Sequence, residues 1–389
     1  MYKRILEASI RKQISKGKSV LLLGPRQVGK TTLCHQFKFD MEINLASIKE
    51  KLLYEKDPQR LEKLVGESKK KLFVYIDEIQ KVPELLNSIQ VLIDSKKAQF
   101  LLTGSSSRKI KKQFDVNLAP GRLVNFRLDP LSVAENSFDL SQILAFGQLP
   151  AICLEEDENQ KELELRSYVE NYIEEEIRKE TRLRNVAPFA RFIELAAIQS
   201  GQICNFTEIS KELGPTVATI QSYYQILEDT LFVERIDPYL KNPSRKKLSK
   251  SSRYIFFDLG VRRILSDESK KILPDRKGML FEHLVGNEII KWMRSQSLSA
   301  KLFYWRDPDG PEIDWLIEYE GNLLPIEVKL NNNPKSKDTK HLKVFMDEYP
   351  KAENALVVCT TDLNFQIEPN IRAINFQNIA TELNRWAIE

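Results

Sequence analysis

The sequence predicts an α/β protein that begins with a parallel β-sheet flanked by helices. Apolar runs at 19–23, 72–76 and 100–103 are short enough to be strands and lie far apart along the chain. Parallel neighbours need long crossovers, whereas hairpins need only short turns, so this spacing indicates a parallel sheet. A charged helical segment follows at 158–185, and a second α/β pattern begins after Asp275.

Length and composition set the number of domains and the compartment that we expect. A chain of 389 residues exceeds what one hydrophobic core usually serves, and we predict three domains at 1–155, 156–272 and 273–389. No apolar run approaches the roughly 18 residues that cross a bilayer, and the first residues lack a signal peptide's apolar stretch. The four cysteines lie far apart without a C-x-x-C pair, which argues against a zinc site or a disulfide framework. We therefore expect a cytoplasmic protein with reduced cysteines and no membrane partner.

The first functional motif follows the first strand. Residues 24–31 read GPRQVGKT, which matches G-x-x-x-x-G-K-[ST] and stands between an apolar strand and a helix. In such a loop, glycines let backbone N–H groups surround a phosphate, the lysine contacts the β- and γ-phosphates, and the hydroxyl ligates Mg²⁺. The alternative is a chance glycine-rich turn before a helix. The predicted ATP-binding residues are Gly24, Pro25, Arg26, Gln27, Val28, Gly29, Lys30, Thr31 and Thr32.

The second strand ends in two carboxylates, Asp77 and Glu78. In a P-loop NTPase fold, an Asp at this position holds Mg²⁺ through its water shell, and the following Glu polarises the attacking water. Capping of the next helix is the structural alternative. We predict that Thr31 and Asp77 are the metal residues and that Glu78 is the catalytic base.

Two more residues complete the predicted ATPase site. Thr103 ends the third strand at the position where AAA+ ATPases place a polar side chain between the two motifs, and Ser105 is the second choice. Arg122 follows a Pro-Gly turn, and its guanidinium can stabilise transition-state charge in a neighbouring subunit of a homo-oligomer. An ordinary surface arginine is the alternative for Arg122.

The middle of the chain has the pattern of a winged helix. FTEISKELG predicts a short helix capped by Thr207 with a turn at Gly214, and a second helix follows. Predicted strands at 231–236 and 253–257 follow, and the basic run that joins them, residues 241–253, contains six basic residues and no acidic one.

The functional interpretation of this basic run is non-specific contact with DNA phosphates. The second helix has no basic residue between Pro215 and Leu227, which argues against the reading of bases. A solvated loop and a purely architectural domain remain the alternatives. The predicted nucleic-acid contacts are Arg245, Lys246 and Lys247.

The C-terminal α/β region has the residues of a nuclease. Glu282 lies on a predicted helix at 278–293, Asp314 on a strand, and Glu327 and Lys329 two apart on the next strand. Because residues two apart share a face, Glu327 and Lys329 point to one side, and Asp314 joins them if the strands pair. Asp314 and Glu327 would then hold a second divalent ion, Mg²⁺ or Mn²⁺, while Lys329 orients or activates water. This arrangement resembles the restriction-endonuclease-like superfamily, and an exposed sheet edge is the alternative.

The motifs taken together resemble one family. The sequences GPRQVGKT, YIDEIQ, LLTGSS, GRLVNFRLDPLS, FEHLVGNEI and PIEVK are similar to those of prokaryotic AAA+-type ATPases with a C-terminal uncharacterised domain. The resemblance covers nearly the whole chain and implies ATP binding without implying a biological role. Pro120 departs from the pattern, since a smaller residue is expected before Gly121 and Arg122.

Two functions follow from these patterns. The first is an ATP-driven enzyme that acts on nucleic acid, which the set Glu282, Asp314, Glu327 and Lys329 favours. The second is a regulatory ATP-binding switch whose winged-helix and C-terminal domains bind protein partners without cleaving nucleic acid. A net charge of only +4 favours this second function.

Overall fold

The computed structural model describes residues 2–105, 122–173, 187–240, 251–307 and 310–388. The chain divides into two compact units. The first contains Met1–Pro130, Asp229–Phe232 and Arg294–Ser297, and the second contains Leu131–Glu228, Val233–Met293 and Leu298–Glu389. The division into three domains that the sequence suggests stays a prediction.

The first unit is built on a five-stranded sheet with the order β2-β3-β4-β1-β5. All four pairings are parallel, which confirms the predicted parallel sheet. The sequence does not predict the edge strands β2 and β5, because neither contains a continuous apolar run. The strands are β1 (Ser19–Leu23), β2 (Met41–Asn44), β3 (Leu72–Asp77), β4 (Ala98–Gly104) and β5 (Leu123–Arg127).

Helices surround this sheet and supply part of its core. Among them α5 buries Leu85, Leu86, Ile89 and Leu92, which recur at helical spacing and pack in the cluster that contains Val74 and Phe100. The helices of this unit are α1 (Leu6–Ser15), α2 (Lys30–Cys34), α3 (Ile48–Lys56), α4 (Arg60–Gly66) and α5 (Leu85–Asp94), with a 3₁₀ turn at Ile79–Lys81.

The second unit begins with helices and continues into an eight-stranded sheet. Its first helices are α6 (Leu140–Phe146), α7 (Pro150–Leu154), α8 (Glu158–Tyr172), α9 (Ala187–Ile198), α10 (Phe206–Leu213) and α11 (Val217–Asp229). Later come α12 (Leu259–Leu265), α13 (Pro274–Ser295), α14 (Lys340–Glu348) and α15 (Ile379–Ile388), with 3₁₀ turns at Ser336–Thr339 and Phe376–Asn378.

The eight-stranded sheet has the order β12-β13-β11-β10-β9-β8-β6-β7. It is mixed, because β9 pairs antiparallel with β8 and β10, whereas β10, β11 and β13 run parallel. Its strands are β6 (Val233–Pro238), β7 (Arg253–Phe256), β8 (Lys301–Arg306), β9 (Glu312–Tyr319), β10 (Asn322–Val328), β11 (Ala355–Cys359), β12 (Phe365–Glu368) and β13 (Ile371–Asn375).

The helix pair α10 and α11 is present, but its first helix begins differently from the prediction. The cap of α10 is Asn205, whose side chain accepts hydrogen bonds from the backbone N–H groups of Thr207 and Glu208. The prediction of Thr207 as the cap was wrong, and Asn is at least as good a cap as Thr. Gly214, at φ 94°, ends α10 as predicted.

The two strands predicted around the basic run also form. They are β6 and β7, which pair antiparallel from Val233 opposite Phe256 to Ile236 opposite Arg253. They belong to the same sheet as the C-terminal strands, since β6 also pairs with β8. A boundary at residue 272 therefore cuts through one sheet. The winged-helix assignment stays a prediction, and Arg245, Lys246 and Lys247 lie outside the described residues.

Candidate functional site

The phosphate-loop sequence lies after β1, at the carboxyl end of the parallel sheet. Gly24 has no room for a side chain, because a Cβ there would lie 2.3 Å from the carbonyl oxygen of Leu128. Gly29 adopts φ 92°, and Gln27 adopts φ 61°, so both are in the left-handed region that an L side chain rarely enters. The backbone path of the loop therefore requires both glycines of the motif.

Lys30 is buried inside this loop. Its Nζ donates hydrogen bonds of 2.8 Å to the carbonyl oxygens of Gly24 and of Pro25. Burial lowers the pKa of Lys30, while the charges of Glu78 and Asp77 oppose that change. A buried ammonium held by neutral carbonyls is suited to an anion such as a phosphate, so the loop fits ATP.

Asp77, at the end of β3, connects the loop with the end of β4. One carboxylate oxygen, Oδ2, accepts a hydrogen bond of 3.4 Å from Thr31 Oγ1, and the other, Oδ1, accepts one from Thr103 Oγ1. Thr103 Oγ1 in turn accepts a 3.1 Å bond from the backbone N–H of Glu78. A hydroxyl and a carboxylate side by side are oxygen donors of the kind that Mg²⁺ prefers, so Thr31 and Asp77 fit the predicted metal.

Glu78 is fixed in an unusual conformation next to Asp77. Its backbone is left-handed, at φ 57°. Its Oε2 accepts hydrogen bonds from Gln80 Nε2 at 2.5 Å and from Ser105 Oγ at 3.0 Å. Because both donors bond Oε2, they fix the carboxylate and leave Oε1 as the oxygen that can accept a proton from water. Gln80 lies in the YIDEIQ motif, but the sequence did not single it out.

The four predicted residues of the C-terminal region also come together. Ile326 pairs with Trp315 across β9 and β10, so one step further along the antiparallel ladder places Glu327 beside Asp314 on one face. The backbone N–H of Val328 donates a 2.8 Å bond to Asp314 Oδ2, and Lys329 Nζ donates a 2.6 Å bond to Glu327 Oε1. Lys329 itself lies one residue past the end of β10, although the prediction placed it inside the strand.

The carboxylates of this cluster affect one another. Burial and the negative charge of Asp314 raise the pKa of Glu327 to about 8. Partial burial raises the pKa of Glu282 to about 8 as well, and the charge of Asp314 adds to the shift. Burial also raises the pKa of Asp314. Perturbed carboxyl groups gathered in one place are typical of a functional site.

The sequence did not predict Arg253 as part of this cluster. Its Nη1 donates a 2.9 Å hydrogen bond to Glu282 Oε1. Arg253 begins β7, whereas Glu282 lies on α13. The two residues are far apart in the sequence, and they meet because β7 belongs to the same sheet as the C-terminal strands.

Comparison with known proteins gives three matches to domain families along the chain. Residues 16–137 match the family described as AAA domain. Residues 137–271 and 277–379 match two domains of unknown function, DUF8612 and DUF4143. The chain carries an AAA domain and a DUF4143 domain.

Relatives of the chain are similar to most of its length. An uncharacterized protein of Mycobacterium tuberculosis is 24% identical over 344 residues, which cover 85% of this chain and 75% of the relative. An uncharacterized protein of Haemophilus influenzae is 24% identical over 364 residues, covering 85% and 87%. The solved structure of replication initiator DnaA bound to AMPPCP and single-stranded DNA is 12% identical over 58% of this chain and 86% of that one. The TM-score between the two structures is 0.26.

Arg122 lies away from the phosphate loop of its own AAA domain. It directly precedes β5, whose first residue Leu123 pairs with Ser19 at the start of β1, whereas the loop follows the end of β1. The guanidinium of Arg122 forms an ion pair with Asp94 at the end of α5. A role for Arg122 in a neighbouring subunit stays a prediction.

Arg4 is a residue of the AAA domain that the sequence did not reveal. It is buried, and it donates 2.7 Å hydrogen bonds to the carbonyl oxygens of Val28 and Asp129. It therefore fixes the phosphate loop to the segment that follows β5. An isolated arginine 24 residues before its partner gives no sequence signal.

Three properties of the described residues bear on the chemistry of the chain. Within the described ranges, no group of three or more His, Cys, Asp or Glu side chains is arranged to hold a metal ion. No helix among the described residues is both long and apolar enough to cross a membrane. All four cysteines are free, and burial raises the pKa of Cys34 and of Cys153 to about 12.

Proposed function

We propose that the AAA domain binds ATP with Mg²⁺ and hydrolyses it. The observation that carries this proposal is the meeting of Lys30, Asp77 and Glu78 at the carboxyl ends of β1 and β3, the two parallel strands on either side of β4. Both carboxylates act electrostatically on the ammonium of Lys30, so the three groups share one small region. In open α/β sheets, ligands bind at the carboxyl ends of the strands, where these three residues lie.

Each side chain has a separate role in the proposed reaction. Lys30 exchanges its bonds with the loop carbonyls for contacts with the β- and γ-phosphates. Thr31 and Asp77 hold the metal, which when bound neutralises charge on the phosphate oxygens. Glu78 orients the attacking water through Oε1. Thr103 fixes the positions of the Asp77 carboxylate and of the Glu78 backbone through its two hydrogen bonds.

Two variants test the proposal with different expected results. We expect Lys30→Ala to abolish ATP binding, because Lys30 contacts phosphate in the ground state. We expect Glu78→Gln to keep binding but lose turnover by at least about a hundredfold, since Glu78 acts only as the reaction proceeds. Glu84→Gln, at an exposed carboxylate on the same segment, is the matched control. Hydrolysis by Glu78→Gln at the wild-type rate would refute the assignment of the base.

A second function is favoured by the C-terminal cluster. We propose that the DUF4143 domain is restriction-endonuclease-like and that Asp314 and Glu327 bind Mg²⁺ or Mn²⁺ there. Glu327 Oε2 is buried and has no hydrogen-bond partner among the described residues, so it is available to a cation. Lys329, bonded to the other oxygen of Glu327, would orient the water that attacks a phosphodiester.

The proposed substrate of this second site is nucleic acid. The region before it is proposed to be a winged helix that holds DNA phosphates through Arg245, Lys246 and Lys247. The proposed assembly is a homo-oligomer in which Arg122 acts on the neighbouring ATP site. If the C-terminal site binds no nucleic acid, the regulatory ATP-binding switch becomes the better function.

Cleavage assays separate the two activities. We expect supercoiled DNA to be nicked in the presence of Mg²⁺ or Mn²⁺, and Asp314→Ala to remove this activity without changing ATP hydrolysis. Asp362→Ala, at an exposed carboxylate of the same region, is the control. Nicking that survives Asp314→Ala would belong to another site or to a contaminant.

A further inference from the structure

Arg253 is held in the carboxylate cluster from two sides. Its side chain is only 6% exposed, and its Nη1 donates to Glu282 Oε1 at 2.9 Å. Its guanidinium carbon lies 4.4 Å from the centre of the Tyr304 ring, over the ring face. An arginine cannot lose its charge in a protein, so a fixed positive charge stands beside Glu282 at every physiological pH.

This cation changes which carboxylates are available to a metal ion. Glu282 is paired with Arg253, whereas Asp314 and Glu327 stand next to each other on neighbouring strands. The described residues contain no group of three such ligands, although three carboxylates gather in this region. With Glu282 paired to Arg253, Asp314 and Glu327 are the two carboxylates of the cluster that remain for a metal ion.

The position of Arg253 disfavours a second cation. A divalent cation at Glu282 would lie against the guanidinium of Arg253, whose Nη1 donates a 2.9 Å hydrogen bond to Glu282 Oε1. Repulsion between buried or partly buried charges is only weakly screened.

We propose that the C-terminal site binds a single divalent cation through Asp314 and Glu327, and that Arg253 takes the place of a second cation at Glu282. Glu282 is then a positioning residue that retains Arg253. This inference rests on the proposed function, because it assumes that the cluster binds metal at all.

Mn²⁺ binding to the full-length chain tests the inference. Isothermal titration calorimetry without nucleotide, in an Asp77→Asn background that weakens the ATPase metal site, gives the number of equivalents. We expect one equivalent, which Asp314→Asn removes. We expect Arg253→Met to bind two equivalents, because it frees Glu282, whereas Arg253→Lys keeps the charge and binds one. The inference would be overturned if the parent protein bound two equivalents of Mn²⁺ and Asp314→Asn removed both. It would also be overturned if a folded Arg253→Met variant bound only one equivalent.

A second variant covers the case in which Arg253→Met does not fold. Glu282→Gln should keep the single equivalent with its Kd within about threefold, because Glu282 is not a ligand. Loss of the equivalent in a folded Glu282→Gln protein would show that Glu282 binds the metal and would overturn the inference. If Asp314→Asn left the Mn²⁺ binding of the parent protein unchanged, or if the parent protein bound no Mn²⁺, the proposed metal site itself would be refuted.

Discussion

At the scale of single residues, the sequence predicts the role of Glu78 but not the orientation of its carboxylate. A strand that ends in Asp77 and Glu78 predicts a metal residue and a base. The structure adds that Gln80 and Ser105 both bond Oε2 of Glu78, which fixes the orientation of the group. The neighbours of Glu78 thus determine which of its oxygens would face the water in the proposed reaction.

We expect Gln80→Met to lower kcat of ATP hydrolysis by about tenfold with little change in KM. A hydrogen bond to a charged group contributes about 1.5–3 kcal/mol, and about 1.4 kcal/mol corresponds to tenfold in rate. Steady-state ATPase kinetics measure both parameters, and Gln59→Met, at an exposed glutamine, is the control. An increase in KM alone would mean that Gln80 serves ATP binding and not the orientation of Glu78.

His283 is a second residue whose surroundings decide its chemistry. Its Nε2 donates a 2.7 Å bond to the carbonyl oxygen of Phe256, and burial lowers its pKa to about 3. The unfolded chain binds a proton near pH 6.5 while the folded chain does not, so the free energy of unfolding falls as the pH drops below 6.5.

We therefore expect a loss of about 1.4 kcal/mol from His283 between pH 7.5 and pH 5.5. Urea titrations at both values measure it, and His283→Gln should show a smaller loss by about that amount. An equal pH dependence in the variant would mean that His283 titrates normally in the folded protein.

At the scale of elements, α13 illustrates how two glycines in one helix differ. Gly286 faces β9, where a Cβ would lie 2.4 Å from Cζ2 of Trp315. The indole of Trp315 cannot easily move away, since its Nε1 donates a 3.1 Å bond to the carbonyl oxygen of Glu282. Gly278 lies in the same helix, yet nothing lies within 4 Å of a Cβ there.

We expect Gly286→Ala to destabilise the protein by about 1–3 kcal/mol, because the helix must move away from the sheet. We expect Gly278→Ala to stabilise it by up to about 1 kcal/mol, since alanine has the higher helix propensity. Thermal unfolding of both variants gives the comparison. Stabilisation by both changes would show that the contact between α13 and β9 adapts easily.

At the scale of the whole molecule, the chain joins an AAA domain to a DUF4143 domain, for which we propose a nuclease-like site. The basic run at 241–253 is the part of the sequence that we predict to contact the phosphates of DNA, and its last residue, Arg253, begins β7. A net charge of +4 gives little general attraction to DNA, so this local run would have to supply it.

We expect replacement of Arg245, Lys246 and Lys247 by Ala to weaken DNA binding similarly for all sequences. The slope of log K against log salt should decrease by about 2.7 if all three contact duplex phosphates, at about 0.9 per contact. Fluorescence anisotropy over a range of salt concentrations measures the slope. Replacing Lys69, Lys70 and Lys71 removes the same charge elsewhere and is the control. Equal effects of the two triplets would mean that only net charge matters.

The sequence by itself determined the parallel sheet and the candidate residues that follow its strands. Alternating apolar runs, a glycine-rich loop and carboxylates at a strand end are local patterns, and local backbone geometry enforces them. Edge strands such as β2 escaped prediction, because a strand with one buried residue has no apolar run. Only the tertiary structure decided that Gln80 and Ser105 hold Glu78, that Arg4 supports the phosphate loop and that Arg253 pairs with Glu282. These contacts join residues through the folding of separate strands and helices, so their spacing along the chain carries no information about them.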